Sequence, residues 1–248
     1  MKSGELVLLL SEKESYLTEV LDRVLHTQRG MIDLKKLRKA KFGDKIKTHL
    51  SKEFSIVKPN IKDILEKKVK RLPQIIMPKD ATLILAYTGI HADSLVVDVG
   101  TGSGFLSMFL ANYLKTGKVV TYEKNKKFFK VAKENVKICG LTNIKLKQKD
   151  VMHGIDEKNV DLFTLDMKYA EKIIKHAYNS LKPGGWLVVY SPYIEQVILA
   201  TKEIEKKNFC DIKTVENIVR EWQIEKYTRP KTVGLMHTGF LTFARKVG

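Results

Sequence analysis

Two patterns of apolar and polar residues divide the chain near residue 70. Before it, the short apolar runs ELVLLL, KIKTHL and EFSIV alternate with charged and turn-forming residues such as TQRG (27–30) and KFGD (41–44). Short runs of this kind, separated by turn signals, predict β-strands. The stretch PNIKDILEKKVKRL predicts a helix that begins at Pro59 and Asn60. We therefore expect a small N-terminal β-rich module over residues 1–65, followed by a connecting helix.

The rest of the chain, residues 66–248, alternates between strand and helix patterns. Strands are predicted at 94–99, 118–123, 143–150, 160–166 and 186–190, and helices at 104–115, 125–140, 170–182 and 194–208. Gly140 ends the second of these helices and Pro183 ends the third. This alternation predicts an α/β fold, a mostly parallel, Rossmann-like sheet with helices on both faces.

The C-terminal segment changes pattern again. DIKTVENIVREWQIEKY and MHTGFLTFARK are two long strand patterns, and the residues around Arg229 and Pro230 predict a loop between them. Two such strands without an intervening helix favour a closing hairpin at one edge of the sheet.

Composition limits the class of protein. The chain has 248 residues, of which 44% are apolar and 29% charged, as in ordinary globular domains. We expect no signal peptide at the start, MKSGELVLLLSEKE, because its apolar run is short and flanked by charge, and no apolar run approaches the roughly 18 residues of a membrane span. We expect a soluble, cytoplasmic protein. Cys139 and Cys210 lack zinc-site spacing, so we expect no metal and two buried free thiols.

Charge indicates an anionic partner. Lys and Arg number 45 against 28 Asp and Glu, which gives a net charge of +17. A Lys-rich surface of the heat-adapted kind is the alternative, but there Glu increases together with Lys. The excess of base therefore favours nucleic acid. Residues 35–47 carry seven basic residues against one acid, and this run is either a solvated face or a surface that follows phosphates.

The stretch VDVGTGSGFL (97–106) carries the most specific signal. It follows the first predicted strand of the sheet, where open α/β sheets bind ligands. Glycines allow a ligand to approach the backbone, and the helix after Ser103 offers free N–H groups. A dinucleotide fingerprint requires a third glycine where this chain has Phe105. No Walker lysine follows the glycines, which argues against a nucleoside triphosphate.

Acidic residues end three of the predicted strands. Glu123 follows the second strand, where a carboxylate can accept both hydroxyls of a ribose. Asp150 ends the third strand and Asp166 the fourth. Each acid taken alone fits a solvated or capping residue. As a set at the same edge of the sheet, they predict a ligand site.

These motifs carry a family resemblance. GTGSG, Glu123, Asp150 and LKPGGWLV together resemble class I S-adenosylmethionine-dependent methyltransferases. HTQRGMIDL, RLPQIIMPKDATLIL, FTLDMK, VVYSPYIEQV and the C-terminal MHTGFLTFARK resemble the tRNA (adenine-N1)-methyltransferase family over nearly the whole chain. The resemblance implies methylation of the T-loop adenine at tRNA position 58, and in archaeal members often 57. It also implies S-adenosylmethionine as cofactor, tRNA as partner and a homotetramer.

The resemblance also implies roles for individual residues. Asp166 matches the family position that accepts the N6 amino hydrogen of the target adenine, beside the cofactor. Glu123 would bind the cofactor ribose, Phe128 would lie over its adenine, and Asp150 with Val151 would contact the adenine amino edge. The methionine and ribose portion would be lined by Gly100, Gly102, Ser103, Gly104, Phe105 and Leu106.

Some residues depart from the family pattern. Met77 stands where the family usually has an aromatic residue, and MKYAEK follows Asp166 where the family usually has Pro and often Trp. Tyr169 is either a stacking residue in their place or a core residue of the next helix. We interpret His26 and His237 as structural or tRNA-contacting residues.

Two other function classes remain at this stage. A class I methyltransferase of protein carboxylates or small molecules would share the glycine turn, Glu123 and Asp150, but would not need a charge of +17. A noncatalytic tRNA-binding subunit would not need an intact glycine turn or Asp166.

Overall fold

The computed structural model describes residues 1–72, 75–225, 227–232 and 236–248. It divides into two compact units, Met1–Val69 and Lys70–Gly248. Pro73 and Gln74, in the middle of the RLPQIIMPKDATLIL stretch, lie outside the described residues. The domain boundary that we predicted at 65/66 falls within a helix, Ile61–Lys67.

The first unit is a small antiparallel β module, as predicted. Its elements are β1 (Leu6–Leu10), β2 (Ser15–Glu19), β3 (Val24–Thr27), β4 (Gly30–Asp33), a 3-10 helix (Leu34–Lys39), β5 (Lys45–Lys47), β6 (Glu53–Val57) and α1 (Ile61–Lys67). Four strands form a sheet in the order β2-β1-β6-β5, and β3 and β4 form a separate hairpin. Val7, Leu9, Phe54 and Ile56 pack in its core. The predicted strand at 45–50 is shorter than expected, and β2 was not predicted.

The second unit contains the predicted alternation. Its elements are α2 (Pro78–Thr88), β7 (Leu95–Val99), α3 (Phe105–Tyr113), β8 (Lys118–Tyr122), α4 (Lys126–Cys139), β9 (Ile144–Lys147), β10 (Val160–Leu165), α5 (Ile174–Ser180), β11 (Leu181–Ser191), α6 (Ile194–Glu205), β12 (Phe209–Glu216), β13 (Trp222–Gln223), β14 (Arg229–Pro230) and β15 (Phe240–Lys246). Short 3-10 helices cover Val151–His153 and Ala170–Ile173.

Seven strands form one mixed sheet in the order β12-β15-β11-β10-β7-β8-β9. The five strands from β11 to β9 are parallel, and β15 pairs antiparallel with both β11 and β12. Alternate side chains enter two cores, because a strand points successive residues to opposite faces. Val96 packs with Ile84 of α2 and Leu110 of α3. Val97 packs with residues of α5 and α6 on the other face. The predicted α/β fold class is confirmed.

The structure differs from the predicted elements around Pro183. The predicted helix over 170–182 is a 3-10 turn followed by α5, which ends at Ser180. The chain enters β11 at Leu181, which pairs with Val160, and the register then shifts so that Leu162 pairs with Trp186. This irregularity accommodates Pro183 within the strand, because a proline removes one ladder hydrogen bond.

Two further expectations need correction. The long strand predicted from 211 ends at Glu216, and Arg229–Pro230, predicted as a loop, forms a two-residue pairing with Trp222–Gln223. The hairpin of β12 and β15 at the sheet edge is present as predicted. Both cysteines are free, but Cys210 is exposed and Cys139 only half-buried, so the expectation of two buried thiols was wrong.

Within the described ranges, no helix is long and apolar enough to cross a membrane.

Candidate active site

The carboxyl ends of the parallel strands form one crevice. β7 lies between β8 and β10. The strands that follow β7 in sequence, β8 and β9, lie on one side of it, and β10 and β11 lie on the other side, so the strand order reverses at β7. Ligands bind at such a switch point in open α/β sheets. A cavity of about 470 Å³ lies here. Seven of the predicted site residues line it: Gly100, Gly102, Glu123, Phe128, Asp150, Val151 and Asp166.

The glycine turn approaches β10 too closely for side chains. Gly100 has φ +91°, and a Cβ at this position would lie 1.9 Å from the carbonyl oxygen of Asp166. Gly102 also has a positive φ, +55°. These conformations are disfavoured for residues with a Cβ. The turn therefore presents bare backbone to the cavity.

A small adjoining cavity of about 40 Å³ brings in the rest of the predicted turn. Ser103, Phe105 and Leu106 line it together with residues of the larger cavity. Gly104 lines neither cavity. It begins α3 with φ +86°, and its Cβ position faces Ala132 and Met108 at 3.6 Å.

Ser103 provides a test of whether a polar ligand fits this cavity. Its Oγ is buried and has no hydrogen-bond partner among the described residues. Buried polar groups in native proteins are nearly always paired. An unpaired hydroxyl beside bare glycine backbone is therefore consistent with a site for a polar ligand.

Glu123 is held by the backbone of the same turn. Its Oε2 accepts a hydrogen bond from the Gly102 N–H at 2.9 Å, and its Oε1 accepts one from the Asn125 N–H at 2.8 Å. Each carboxylate oxygen has a second lone pair. Glu123 is therefore fixed in place and can still accept two hydroxyl hydrogens from a ligand.

Asp150 and Phe128 lie on the other side of the cavity. Asp150 caps the short 3-10 helix, accepting a hydrogen bond from the Met152 N–H at 3.0 Å, and it lies 4.0 Å from the Lys124 ammonium. Phe128, in the first turn of α4, lines both cavities. The structure thus brings together an aromatic ring and a carboxylate, the groups that an adenine would contact.

Asp98 is a buried acid that the sequence analysis missed. Its carboxylate accepts hydrogen bonds from the hydroxyls of Thr164 at 2.7 Å, Thr121 at 3.1 Å and Ser107. Burial raises its pKa, and the three hydroxyl donors oppose that shift. The sequence feature that could have identified Asp98 is its position as the one acid within the otherwise apolar strand LVVDV.

Asp166 differs from Asp98 in its surroundings. No donor among the described residues reaches its carboxylate, although its backbone N–H donates to the Val99 carbonyl at 2.9 Å. Burial raises the pKa of Asp166 to about 7, and the nearby Asp98 carboxylate adds to the shift. A carboxyl group with a pKa near neutrality, in a cavity and without an internal partner, is a candidate for a functional group.

Tyr190 also lines the main cavity and was not predicted as a site residue. Its hydroxyl donates to the Thr238 carbonyl at 2.5 Å. Burial raises the pKa of Tyr190 to about 12, and Asp80 and Asp166 contribute. This tyrosine therefore lies near two carboxylates. Tyr190 was only weakly indicated as a site residue by the sequence, because its partners come from distant parts of the chain.

The remaining candidate residues lie away from the cavity or at its rim. His237 bonds to the carbonyl of Pro192 at 3.0 Å and to the Glu216 carboxylate at 2.5 Å. Tyr169 has φ +63° and is 64% exposed, so the interpretation as a core residue was wrong. His26 is exposed on β3. In the part of the chain that the structure describes, no cluster of acids, histidines and cysteines could hold a metal ion.

The strand order, the glycine turn and the acid after the neighbouring strand define a class I S-adenosylmethionine-dependent methyltransferase fold. The family model for the tRNA methyltransferase complex GCD14 subunit matches residues 64–232. The chain belongs to this family of tRNA (adenine-N1)-methyltransferases, which confirms the resemblance found in the sequence.

Curated relatives cover nearly the whole chain. The tRNA (adenine(57)-N(1)/adenine(58)-N(1))-methyltransferase TrmI of Methanocaldococcus jannaschii is 37% identical, over 96% of this chain and 94% of the relative. The tRNA (adenine(58)-N(1))-methyltransferase TrmI of Thermus thermophilus is 29% identical, over 90% and 89% of the two chains.

Two solved structures match over the full chain. A SAM-dependent O-methyltransferase of Thermotoga maritima has a TM-score of 0.90 and 31% identity, with 95% of that chain covered. The tRNA (m1A58) methyltransferase TrmI of Aquifex aeolicus has a TM-score of 0.84 and 27% identity, with 99% of that chain covered. The two are described as methylating different atoms, oxygen and nitrogen, so the shared fold alone does not identify the acceptor.

Proposed function

We propose that this protein transfers the methyl group of S-adenosylmethionine to N1 of adenine at position 58 in the T-loop of tRNA, with position 57 as a second target. The archaeal and bacterial relatives named for this activity support the proposal. The observation that carries it is Asp166, a carboxylate at the end of β10 to which no described residue donates a hydrogen bond, in the same cavity as the glycine turn.

The residues around the two cavities fit the cofactor. Glu123 can accept the ribose hydroxyls, Phe128 and Val151 can contact the adenine ring, and Asp150 can accept its amino hydrogens. The methionine portion would be lined by Gly100, Gly102, Ser103, Phe105 and Leu106, with Gly104 setting the start of α3. When bound, the cofactor supplies a methyl group made electrophilic by its sulfonium. The protein supplies position and electrostatics.

Asp166 would act on the acceptor base. Its carboxylate can accept a hydrogen bond from the N6 amino group of adenine, which increases electron density at N1. N1 would use its lone pair to form the new bond to the methyl carbon while the bond from that carbon to sulfur breaks and leaves its electron pair on sulfur, so the positive charge would pass to the adenine ring. A carboxylate at N6 stabilises that charge and can take the amino proton from the product.

The rim of the cavity suits an RNA strand. Lys124, Lys149 and Lys168 line the cavity next to the acids. Lysines at the mouth can contact phosphates of a nucleotide whose base is turned out of its stack, as reaction at a ring nitrogen requires. The lysines would hold the strand while Asp166 orients the base.

Replacing Asp166 with alanine tests the function and the assigned role together. We expect Asp166→Ala to abolish transfer of labelled methyl to a tRNA transcript, while calorimetry shows nearly unchanged affinity for S-adenosylmethionine. Asp93→Ala, an exposed acid before β7, is the matched control and should retain activity. Full activity of Asp166→Ala would remove the assigned role.

The wild-type protein separates the other function classes. A chain that binds the cofactor but methylates no tRNA would support another acceptor, such as a protein carboxylate or a small molecule. A chain with no heat of binding for S-adenosylmethionine would support the noncatalytic subunit. Mass spectrometry of the methylated nucleosides identifies the modified position.

We also propose that the chain self-associates as a homotetramer. The segment between β12 and β15 carries large apolar residues that are more than half exposed, among them Ile218, Trp222 and Ile224. Exposed apolar patches mark contact surfaces. Light scattering of the purified protein should give four times the mass of one chain, and a monomer would contradict this.

A further inference from the structure

The loop between β9 and β10 has its two ends joined by one lysine. This loop, residues 148–159, contributes Asp150 and Val151 to the lining of the catalytic cavity. Lys147 is the last residue of β9, and its ammonium lies 2.6 Å from a carboxylate oxygen of Glu157. A cation at the start of the loop therefore pairs with an acid near its end.

The ion pair is largely buried and belongs to a small cluster. The side chains of Lys147 and Glu157 are only 18% and 12% exposed. Tyr122, buried at the end of β8, donates its hydroxyl to Glu157 and accepts a hydrogen bond from the Lys147 ammonium at 3.1 Å. Asp156 accepts from the same ammonium at 2.8 Å. Within the described ranges no other cation pairs with Glu157, so its charge is compensated by Lys147.

Regular elements of the fold anchor both sides of this cluster. On one side, Tyr122 pairs with Lys147 across β8 and β9, and the Lys147 carbonyl accepts a hydrogen bond from the Glu123 N–H at 3.0 Å. On the other side, Ser180 of α5 donates its hydroxyl to the backbone carbonyl of Glu157. The Lys147–Glu157 pair thus joins two anchored points, and the loop between them carries the acid of the cavity.

Asp150 has no comparable support of its own. Its carboxylate accepts a hydrogen bond from the Met152 N–H, which belongs to the same loop and moves with it. Its other contact is with the Lys124 ammonium at 4.0 Å, and the Lys124 side chain is 65% exposed. Exposed ion pairs hold a side chain only weakly. The position of Asp150 relative to the strands therefore depends on how the ends of the loop are held.

We propose that Lys147 is a positioning residue for the adenine of the cofactor. The inference rests on the proposed function, in which Asp150 accepts the amino hydrogens of that adenine. Lys147 does not line the cavity. By joining the ends of the loop, its ammonium fixes Asp150 and Val151 at the cavity wall, and this determines the preference for a purine that carries an amino group.

Binding of two product analogues tests the proposal. S-inosylhomocysteine has a carbonyl oxygen where S-adenosylhomocysteine has the amino group. By calorimetry, wild type should prefer S-adenosylhomocysteine about tenfold or more, because the oxygen leaves the Asp150 carboxylate without a donor. Lys147→Met should bind S-adenosylhomocysteine about tenfold more weakly, and its preference should shrink to about twofold.

A third analogue localises the effect to the adenine end of the site. S-(2′-deoxyadenosyl)homocysteine lacks one of the hydroxyls assigned to Glu123. Glu123 is held by the N–H groups of Gly102 and Asn125, which Lys147→Met does not change. The loss of affinity caused by the missing hydroxyl should therefore be the same in wild type and Lys147→Met.

Steady-state kinetics and two control variants separate positioning from stability. Lys147→Met should raise the KM for S-adenosylmethionine with kcat within about twofold of wild type, because Lys147 does not touch the reacting atoms. Lys147→Arg keeps the charge and should restore most of the preference. Lys182→Met is the matched control, since it removes a lysine paired with Asp161 at the opposite end of β10. It should bind all three analogues as wild type does.

A double variant covers the case in which Lys147→Met alone does not fold. Lys147→Met combined with Glu157→Gln removes both charges, so no buried carboxylate is left unpaired, and its Tm should be closer to that of wild type. Because the ends of the loop are still not joined, the double variant should also lack the preference for S-adenosylhomocysteine.

The outcomes separate this inference from the proposed function. A wild-type protein that binds neither S-adenosylmethionine nor S-adenosylhomocysteine overturns both. Equal affinity of wild type for the adenosyl and inosyl analogues overturns the role of Asp150 and this inference with it. A wild-type preference that Lys147→Met or the double variant retains in full overturns only the role of Lys147. Wild type that binds the cofactor but methylates no tRNA overturns the proposed acceptor, and the binding assays then still decide the role of Lys147.

Discussion

Asp98 and Asp166 are two neighbouring carboxylates that differ in their hydrogen-bond donors. Three hydroxyls donate to Asp98, whereas no described residue donates to Asp166. A buried carboxylate that is fully hydrogen-bonded is structural, because its charge is already stabilised. Among the described residues Asp166 has no such donor, so its carboxylate is open to one from a ligand. That difference is why the amino group of a substrate adenine suits Asp166 and not Asp98.

The raised pKa of Asp166 predicts a pH profile. The carboxyl group carries its proton below about pH 7, and only the charged form can stabilise the positive charge on the methylated adenine and take up its amino proton. The kcat/KM for the cofactor, which reports the free enzyme, should therefore rise with pH through about 7 and level off above it. Stopped assays from pH 5.5 to 8.5, with tRNA held well below its KM so that the free enzyme predominates, measure this. A flat profile across that range would contradict the role of Asp166.

Asp98 gives a second prediction that isolates the interaction between the two acids. Asp98→Asn preserves the size of the side chain and removes its charge, so the pKa of Asp166 should fall. The acid limb of the same pH profile should move to lower pH. Near-ultraviolet circular dichroism checks that the variant is folded. A limb that stays in place would show that Asp98 does not act on Asp166.

Gly100 predicts a steric effect. A Cβ would lie 1.9 Å from the Asp166 carbonyl oxygen, so Gly100→Ala must separate the turn from β10. We expect a loss of about 2–4 kcal/mol in unfolding free energy and at least a tenfold loss of cofactor affinity. The control is Gly89→Ala, with φ +56° and no atom within 4 Å, which should cost about 1 kcal/mol. Equal effects of the two variants would refute the close approach.

At the scale of elements, the alternation of strands and helices in the second unit was predictable from sequence, because apolar residues recur with a different period in a strand than in a helix. β7, α3, β8 and α4 begin and end within two residues of their predicted bounds. Acids after parallel strands could likewise be placed at one edge, since those strands share direction. What sequence could not supply were contacts between distant segments, such as Tyr190 with Thr238. The end of α5 was missed because pairing of Leu181 with Val160 overrides the stop signal at Pro183.

Asn135 of α4 shows how such a contact supports the turn. It is fully buried, its amide donates to the carbonyls of Ser103 at 2.8 Å and Lys70 at 2.9 Å, and its oxygen accepts from the Lys70 N–H. Asn135→Ala leaves these groups unpaired, so we expect a loss of about 2 kcal/mol and a Tm lower by roughly 4–8 °C. Asn112→Ala, an exposed residue of α3, is the control for calorimetry. A change in Tm equal to that of the control would contradict this.

At the scale of the whole molecule, the ion pairs show which basic residues of a chain with a net charge of +17 remain available to an anionic partner. Of the seven basic residues between 35 and 47, Arg38 pairs with Asp22, and Lys45 and Lys47 pair with Glu53. The other four are exposed and have no carboxylate within salt-bridge distance among the described residues: Lys35, Lys36, Lys39 and Lys41. These four lysines are available for phosphates.

Salt dependence distinguishes a phosphate-binding surface from a solvated one. With six phosphate contacts, tRNA affinity should fall about 10³-fold between 50 and 200 mM salt. Replacing the four free lysines with alanine should reduce the slope of log affinity against log salt by about 1 for each lysine in contact.

The control for this experiment removes the same charge from the sheet edge opposite the cavity. Four exposed lysines lie there, near the ends of α3 and α4, at the first residue of β8 and before β10: Lys115, Lys137, Lys118 and Lys158. A general effect of net charge would change the slope equally in both variants. A surface that follows phosphates in the first unit would change it only when the lysines between 35 and 41 are removed, because counterions are released only where phosphates are contacted.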